Sequence, residues 1–376
     1  MLLNKKNISF LASPKIFFYS LIAMMIILVV GTVAQKYIGL YIAQKIFFSS
    51  FIIWVKFIPL PGMSLISTII ILNIFFKIFF SSPFKKEKLG IIITHIGIFV
   101  LLLGSAITGY FSHEGNIVIK EGESGSKIYD YHEKELLIYR INTKSEKELV
   151  VSLHKDDIKN GTIISDSSLP ISLKVINTYT NSRAMLDKKG AIASMEEILP
   201  NKEDERNIWG IEIEIINDSM DQKDKAVSIV EGMSSVKLLS NEQTFILELS
   251  KTNTDLPFEI HLRKFEKEVH PGTMTARSYS SEVVLKDNKN NLEWRGIISM
   301  NNPLRYKGYT FYQSSFFTDG RSNTTILAVV ENKGRLFPYI SSIIICIGIL
   351  IHLFIRPKKI EMEMDAQKNT DGQKNA

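Results

Sequence analysis

The chain has 376 residues, a formal net charge of +6 and a single cysteine, Cys346. One cysteine excludes a disulfide framework, a CxxC reductase, a zinc ribbon and a c-type cytochrome carrying its own CxxCH. The charge excess is mild and much of it lies beside apolar runs, which fits membrane orientation better than a nucleic-acid partner, and none is expected.

In chain order, the first apolar run covers 16–34, after Lys5, Lys6 and Lys15. Thr32-Val33-Ala34 resembles a signal-peptide cleavage site, but the apolar core exceeds the roughly 7–15 residues of a signal, so it reads as a retained span. Residues 37–55 are also apolar, with Lys45 in the middle. A central lysine costs roughly 2.5–3.5 kcal/mol on insertion, so the stretch reads as an interfacial helix with Lys36, Lys45 and Lys56 snorkelling. Runs at 57–80 and 89–111 give two further spans, and 336–356 gives a fourth. Lys77, Lys85, Lys86 and Lys88, and Arg356, Lys358 and Lys359, then fall on the same side as the first lysines. That side is the cytoplasm by the positive-inside rule. The expectation is a multi-pass membrane protein with residues 112–335 on the side away from the cytoplasm.

Within 112–335, short alternating stretches such as Asn116 to Lys120, Ile211 to Ile215 and Thr325 to Val329 have the period of half-buried strands. A β-rich sandwich or barrel-like domain is expected. The charged stretch 183–206 reads as a long mobile loop, and the polar tail 357–376 as cytoplasmic and disordered. The fold class is therefore a polytopic α-helical membrane protein of about four spans, with a large β-rich extracytoplasmic domain between spans three and four.

No hydrolase, kinase or metalloprotease motif is present, and His113, His132, His154, His261 and His270 lack metal-ligand spacing. Two histidines lie inside spans. An imidazole in hydrocarbon is costly and faces protein, a cavity or a ligand. At 1.5 Å per residue, His95 sits roughly 10 Å past Lys88 and His352 roughly 6 Å before Arg356, both in the cytoplasmic half. The third span carries a small-residue face, Gly90, Thr94, Gly97, Gly104 and Thr108, which suits close helix packing. Gly348 lies one turn before His352. Haem iron would accept such a histidine; a hydrogen bond to a neighbouring helix is the other reading.

The segment Met300 to Phe316, with Asn302, Pro303, Leu304, Tyr306, Gly308, Tyr309, Phe311, Tyr312 and Gln313, closely resembles a signature of the ResB family of System II cytochrome c biogenesis proteins. Thr94-His95-Ile96-Gly97 resembles that family's third span, and 265–273 with 278–283 resembles its strand pair. The resemblance covers nearly the whole chain in the same order. It implies a haem-handling membrane subunit that works with a tryptophan-rich partner of the ResC or CcsA type. Together they would export or hold reduced haem b and support its attachment to CxxCH of apocytochrome c. It also implies that His95 is an axial ligand of haem iron. His352 is a candidate by depth alone. With only Trp54, Trp209 and Trp294, no tryptophan-rich motif is visible and the fused partner of some members is lacking, so the expected role is a non-catalytic or co-catalytic subunit of a haem lyase complex. The alternative is an anchored scaffold for apocytochrome c or another partner, without haem ligation. The string itself also reads as structure, with Asn-Pro opening a turn and its aromatics serving as core.

Overall fold

The computed structural model describes residues 5–81, 85–141, 146–186, 192–216, 226–233, 235–240, 243–273, 275–320 and 322–374. The chain divides into two compact units: Met1–Ser112 with Asn332–Ala376, and His113–Glu331. Among the described residues, four helical segments are long and apolar enough to cross a membrane: Asn7–Ile38, Met63–Phe80, Leu89–Phe111 and Phe337–Ile355. The protein is a polytopic α-helical membrane protein whose β-rich domain lies between its third and fourth spanning helices.

In the membrane unit, α1 (Lys5–Leu11) and α2 (Pro14–Ile38) are separated by a break at Ser13, which caps α2 by accepting from the Lys15 amide. Pro14 starts α2, where its missing N–H is no loss. Gly39, at φ 84°, ends it. A short α3 (Leu40–Ala43) and a π-helical turn (Gln44–Phe48) lead into a hairpin, β1 (Ile52–Val55) and β2 (Ile58–Pro61). So the expected interfacial helix over 37–55 does not form as one element. Gly39 breaks it, β-branched residues favour the strand, and Pro59 and Pro61 bar a helix from continuing. The second span accordingly begins at Met63 rather than 57, with α4 (Met63–Phe76) running on into a π-helical turn through Ser81. Along α4 and the turn that continues it, Ile66, Ile70, Ile74 and Ile78 form one buried stripe at a four-residue spacing. It packs on Phe17, Met24 and Ile27 of α2 and on Ile96, Phe99 and Leu102 of α5 (Leu89–Phe111). The last helix, α6 (Phe337–Lys374), extends through the tail expected to be disordered, a stretch rich in the helix-favouring Lys, Glu, Met and Gln.

The second unit holds β3 (His113–Lys120), β4 (Ser124–Ile141), β5 (Lys147–His154), β6 (Ile163–Ile164), β7 (Ser172–Tyr179), β8 (Ser182–Leu186), β9 (Ile192–Glu197), β10 (Gly210–Ile216), β11 (Ala226–Val230), β12 (Val236–Ser240), β13 (Gln243–Val269), β14 (Ala276–Asp287), β15 (Leu292–Ser299), β16 (Leu304–Tyr306), β17 (Tyr309–Thr318) and β18 (Asn323–Glu331). The large sheet runs β15-β14-β13-β4-β3-β18-β17-β16, with β12 on β13 and β5 on β4. A smaller sheet runs β11-β10-β7-β6. Every pairing is antiparallel. The period-two pattern explains the burial: Ile211, Ile213 and Ile215 point into one core with Trp209 and Phe245. Leu327 and Val329 point into a second core with Phe258 and Phe311. The stretch 183–206 differs from expectation. β8 and β9 pair as a hairpin and Asp204–Arg206 forms a helical turn, while 187–191 lie outside the described residues. Charge at the surface does not oppose a strand whose backbone partner is supplied locally.

Candidate functional site around His95

Two faces of α5 do different work. Gly90, Gly97 and Gly104 are buried on the first. A Cβ at Gly90 would fall 2.4 Å from the His352 amide nitrogen, one at Gly97 would strike Ile345, and one at Gly104 would strike Phe337. From the other side, a Cβ at Gly348 would sit 2.5 Å from the Thr94 hydroxyl. Thr108 donates to Asn332 at 3.1 Å. So Gly90, Thr94, Gly97 and Gly104 meet α6 closely, and Thr108 meets the turn just before it.

His95 points elsewhere. Helix geometry places it about 100° around from Thr94, and it lines a pocket of about 240 Å³ with Ala12, Phe17, Asn73, Lys77 and Ile98. Its Nδ1 lies 2.7 Å from the Ile91 carbonyl oxygen. A carbonyl only accepts, so Nδ1 carries the proton and donates. That fixes the tautomer in which Nε2 keeps its lone pair, the form a metal ligand requires. The pocket wall is also held by Asn73, which is buried and donates to the carbonyls of Leu11 at 2.6 Å and Ser13 at 3.0 Å. Both lie at the α1–α2 break: Leu11 ends α1, where a carbonyl lacks an intrahelical donor, and Ser13 also accepts from the Ile16 amide. Sequence reasoning passed over Asn73 and used Lys77 only to orient the spans. A buried amide inside a span was the available signal for the first, and a cation at a span's end for the second.

His352 is not among the residues lining that pocket. Its backbone is level with Gly90, five residues short of His95 on α5, roughly 7 Å along the axis. The offset between the two histidines is thus larger than the roughly 4 Å that the sequence spacing implies. Gly348, one turn earlier on α6, is the residue level with Thr94. Among the described residues, no group of three His, Cys, Asp or Glu side chains is placed to hold a metal ion.

The string 300–316 forms a structural hairpin. Asn302 and Ser299 exchange backbone hydrogen bonds at 3.1 and 3.2 Å, closing the turn that Pro303 leaves. β16 and β17 then pair Tyr306 with Tyr309 across a two-residue loop. Both loop residues have positive φ, Lys307 at 46° and Gly308 at 87°, the geometry of a type I′ turn. Leu304 and Phe311 are buried in the core, and Tyr306, Tyr309 and Phe311 all set their rings edge-on to Phe258. Tyr312 stands outside, 41% exposed. Gln313 joins Ser281 and Thr325 in a buried hydroxyl–amide cluster, with Gln313 Nε2 donating to Thr325 at 2.8 Å. Beneath the turn, Asp287 is fully buried, accepting from the Tyr306 hydroxyl at 2.8 Å and pairing with Lys307 at 2.5 Å. The Lys307 ammonium, then the Tyr306 hydroxyl, hold its carboxyl well below the usual carboxylate range.

Residues 211–326, from β10 into β18, match the model of the ResB-like family. Over 260 residues the chain is 25% identical to Protein NrfI of Wolinella succinogenes, an alignment that covers 69% of this chain and 26% of NrfI. The chain thus spans about a quarter of the length of that curated relative. The segment 211–326 is thus similar to the ResB-like family, as the string 300–316 within it also is.

Proposed function

We propose that this protein serves cytochrome c biogenesis as a haem-handling membrane subunit, acting with a second polytopic protein of the ResC or CcsA type. In this reading it lies in the bacterial cytoplasmic membrane with its β-rich domain on the outer face, where apocytochrome c is met. The lysine clusters beside the spans support that orientation. The carrying observation is His95, whose Nδ1 is tied to Ile91 so that Nε2 is free to ligate.

The residues fit part of a haem. His95 would offer a ring nitrogen to the iron, Phe17 and Ile98 would offer apolar wall, and Lys77 would offer a cation for a carboxylate. The pocket, about 240 Å³, is below the roughly 300–1,000 Å³ usual for such ligands. Haem b would therefore be shared with the partner, which would supply the remaining surface and ligand. Bound there, haem supplies the iron and vinyl chemistry of attachment. This chain's residues orient the imidazole, set its tautomer and present Lys77.

The test is to purify the protein with its partner and compare haem absorbance and cytochrome c maturation for wild type and His95→Ala. Loss of both is expected, with the complex intact. Unchanged haem content and maturation would overturn the assignment. A second reading, an anchored module that grips apocytochrome c without touching haem, draws on the exposed Tyr312 and Phe317 of β17. Under it, His95→Ala is silent and Tyr312→Ala lowers maturation.

A further inference from the structure

The hairpin β1–β2 is held firmly at its base and bare at its tip. The Gly62 amide donates to the Phe51 carbonyl at 2.8 Å, and Ser64 donates to the Ser49 carbonyl at 3.0 Å. A Cβ at Gly62 would fall 2.1 Å from the Ser50 carbonyl oxygen. Near the base Ile53 is buried. Towards the tip, Trp54 is 65% exposed, Ile58 62% and Phe57 93%. The two-residue loop holds Lys56 at φ 57°, a position that hairpins give to glycine. A bulky cation and a phenylalanine thus form the tip although a glycine would be less strained.

Both faces of this blade are apolar. Trp54 and its cross-strand partner Pro59 share one face; Val55 and Ile58 share the other. An isolated two-stranded hairpin is marginal in water. A folded protein partner would cover one face and leave the other wet, whereas a lipid phase meets both. Position agrees. The hairpin joins the end of one spanning helix, Ile38, to the start of the next, Met63. Phe48 and Ser49 line one pocket with Ser64, Gly109 and Tyr110, so this connection sits where α4 begins and α5 finishes. The hairpin's outer edges carry unpaired backbone groups, which bars the hydrocarbon centre and allows the headgroup–acyl boundary. Tryptophan with a neighbouring lysine is the composition of that boundary.

We propose that the β1–β2 hairpin is a lipid-embedded wedge, with Trp54 and Phe57 in the upper acyl region and Lys56 reaching lipid phosphate. This goes beyond the haem reading and does not depend on it. The experiment places the full-length protein in phosphatidylcholine–phosphatidylglycerol vesicles, with and without lipid brominated near the top of its acyl chains. Trp209 and Trp294 belong to the β-rich domain and are kept in Trp54→Phe, so the difference between wild type and that variant is the signal of Trp54. Wild type is expected to lose emission in brominated vesicles, Trp54→Phe to lack that loss, and Phe57→Trp added to Trp54→Phe to restore it. Equal loss in wild type and Trp54→Phe overturns the proposal. So does quenching of Trp54 by aqueous iodide without any effect of bromine, the result expected if the hairpin stands in water. Protection from both quenchers, the result expected if a second copy or another protein covers it, overturns it equally.

Discussion

Gly90 of α5 lies against the backbone of His352 on α6, with room for a hydrogen at the glycine and for nothing larger. An added methyl would meet backbone, which cannot rotate away as a flexible side chain can. Gly90→Ala should destabilise the membrane unit by about 1–3 kcal/mol, the usual range for overpacking. Gly109→Ala is the control, because nothing lies within 4 Å of a Cβ there. Thermal unfolding of the two variants in detergent checks the contrast, and equal midpoints would show that α5 and α6 do not pack through Gly90.

The same contact separates the two membrane histidines by role. His352 gives its backbone to the α5 interface, whereas His95 gives its ring to the pocket beside Asn73 and Lys77. His352→Ala should therefore leave haem retention by the purified complex close to wild type, while His95→Ala removes it. Reduced-minus-oxidised spectra of both variants check this. Haem loss in His352→Ala alone would move the ligand from α5 to α6.

The spans and alternating strands were legible because each is a repeating pattern within one short segment. Gly90, Gly97 and Gly104 stood out for the same reason, as a stripe at helical spacing. What lay hidden depends on partners far apart in the chain. Nothing near Asn73 announces that its amide serves carbonyls at Leu11 and Ser13. Nothing beside Lys307 announces Asp287. The π-helical turn and hairpin after Gly39 were hidden for another reason. Their residues are as apolar as a helix lying in the interface, and only Pro59, Pro61 and the glycines at either end mark the change.

Lys134 illustrates a buried charge that composition cannot foretell. Its ammonium is 1% exposed and lies 2.6 Å from Glu231, while also donating to the Asn207 carbonyl at 2.5 Å. Glu231 in turn accepts from the Trp209 amide at 3.1 Å. Removing one member of a buried pair leaves the other uncompensated, at about 3–5 kcal/mol. Lys134→Met should destabilise the β-rich domain on that scale. Lys134→Met with Glu231→Gln should recover part of the loss, because the stranded carboxylate is gone. Denaturant unfolding followed by Trp209 fluorescence checks both, and a double variant no better than the single would refute the coupling.

Asp287 gives the domain an acid-sensitive lock on the hairpin at 304–311. Its carboxyl is held below its unfolded value, first by Lys307 and then by the Tyr306 hydroxyl. A depressed carboxylate contributes stability that is fully present above the unfolded pKa, about 3.9 for aspartate, and is lost as pH falls through the folded value. The wild-type domain should therefore lose stability progressively below about pH 4. Asp287→Asn should be less stable at neutral pH and show a shallower decline on acidification. Lys307→Met should do the same while also leaving Asp287 buried without its cation, so its neutral-pH loss should be the larger of the two. Unfolding midpoints measured from pH about 7 down to about 3 check the slope. Parallel curves for wild type and Asp287→Asn would mean that some other carboxylate carries the acid response.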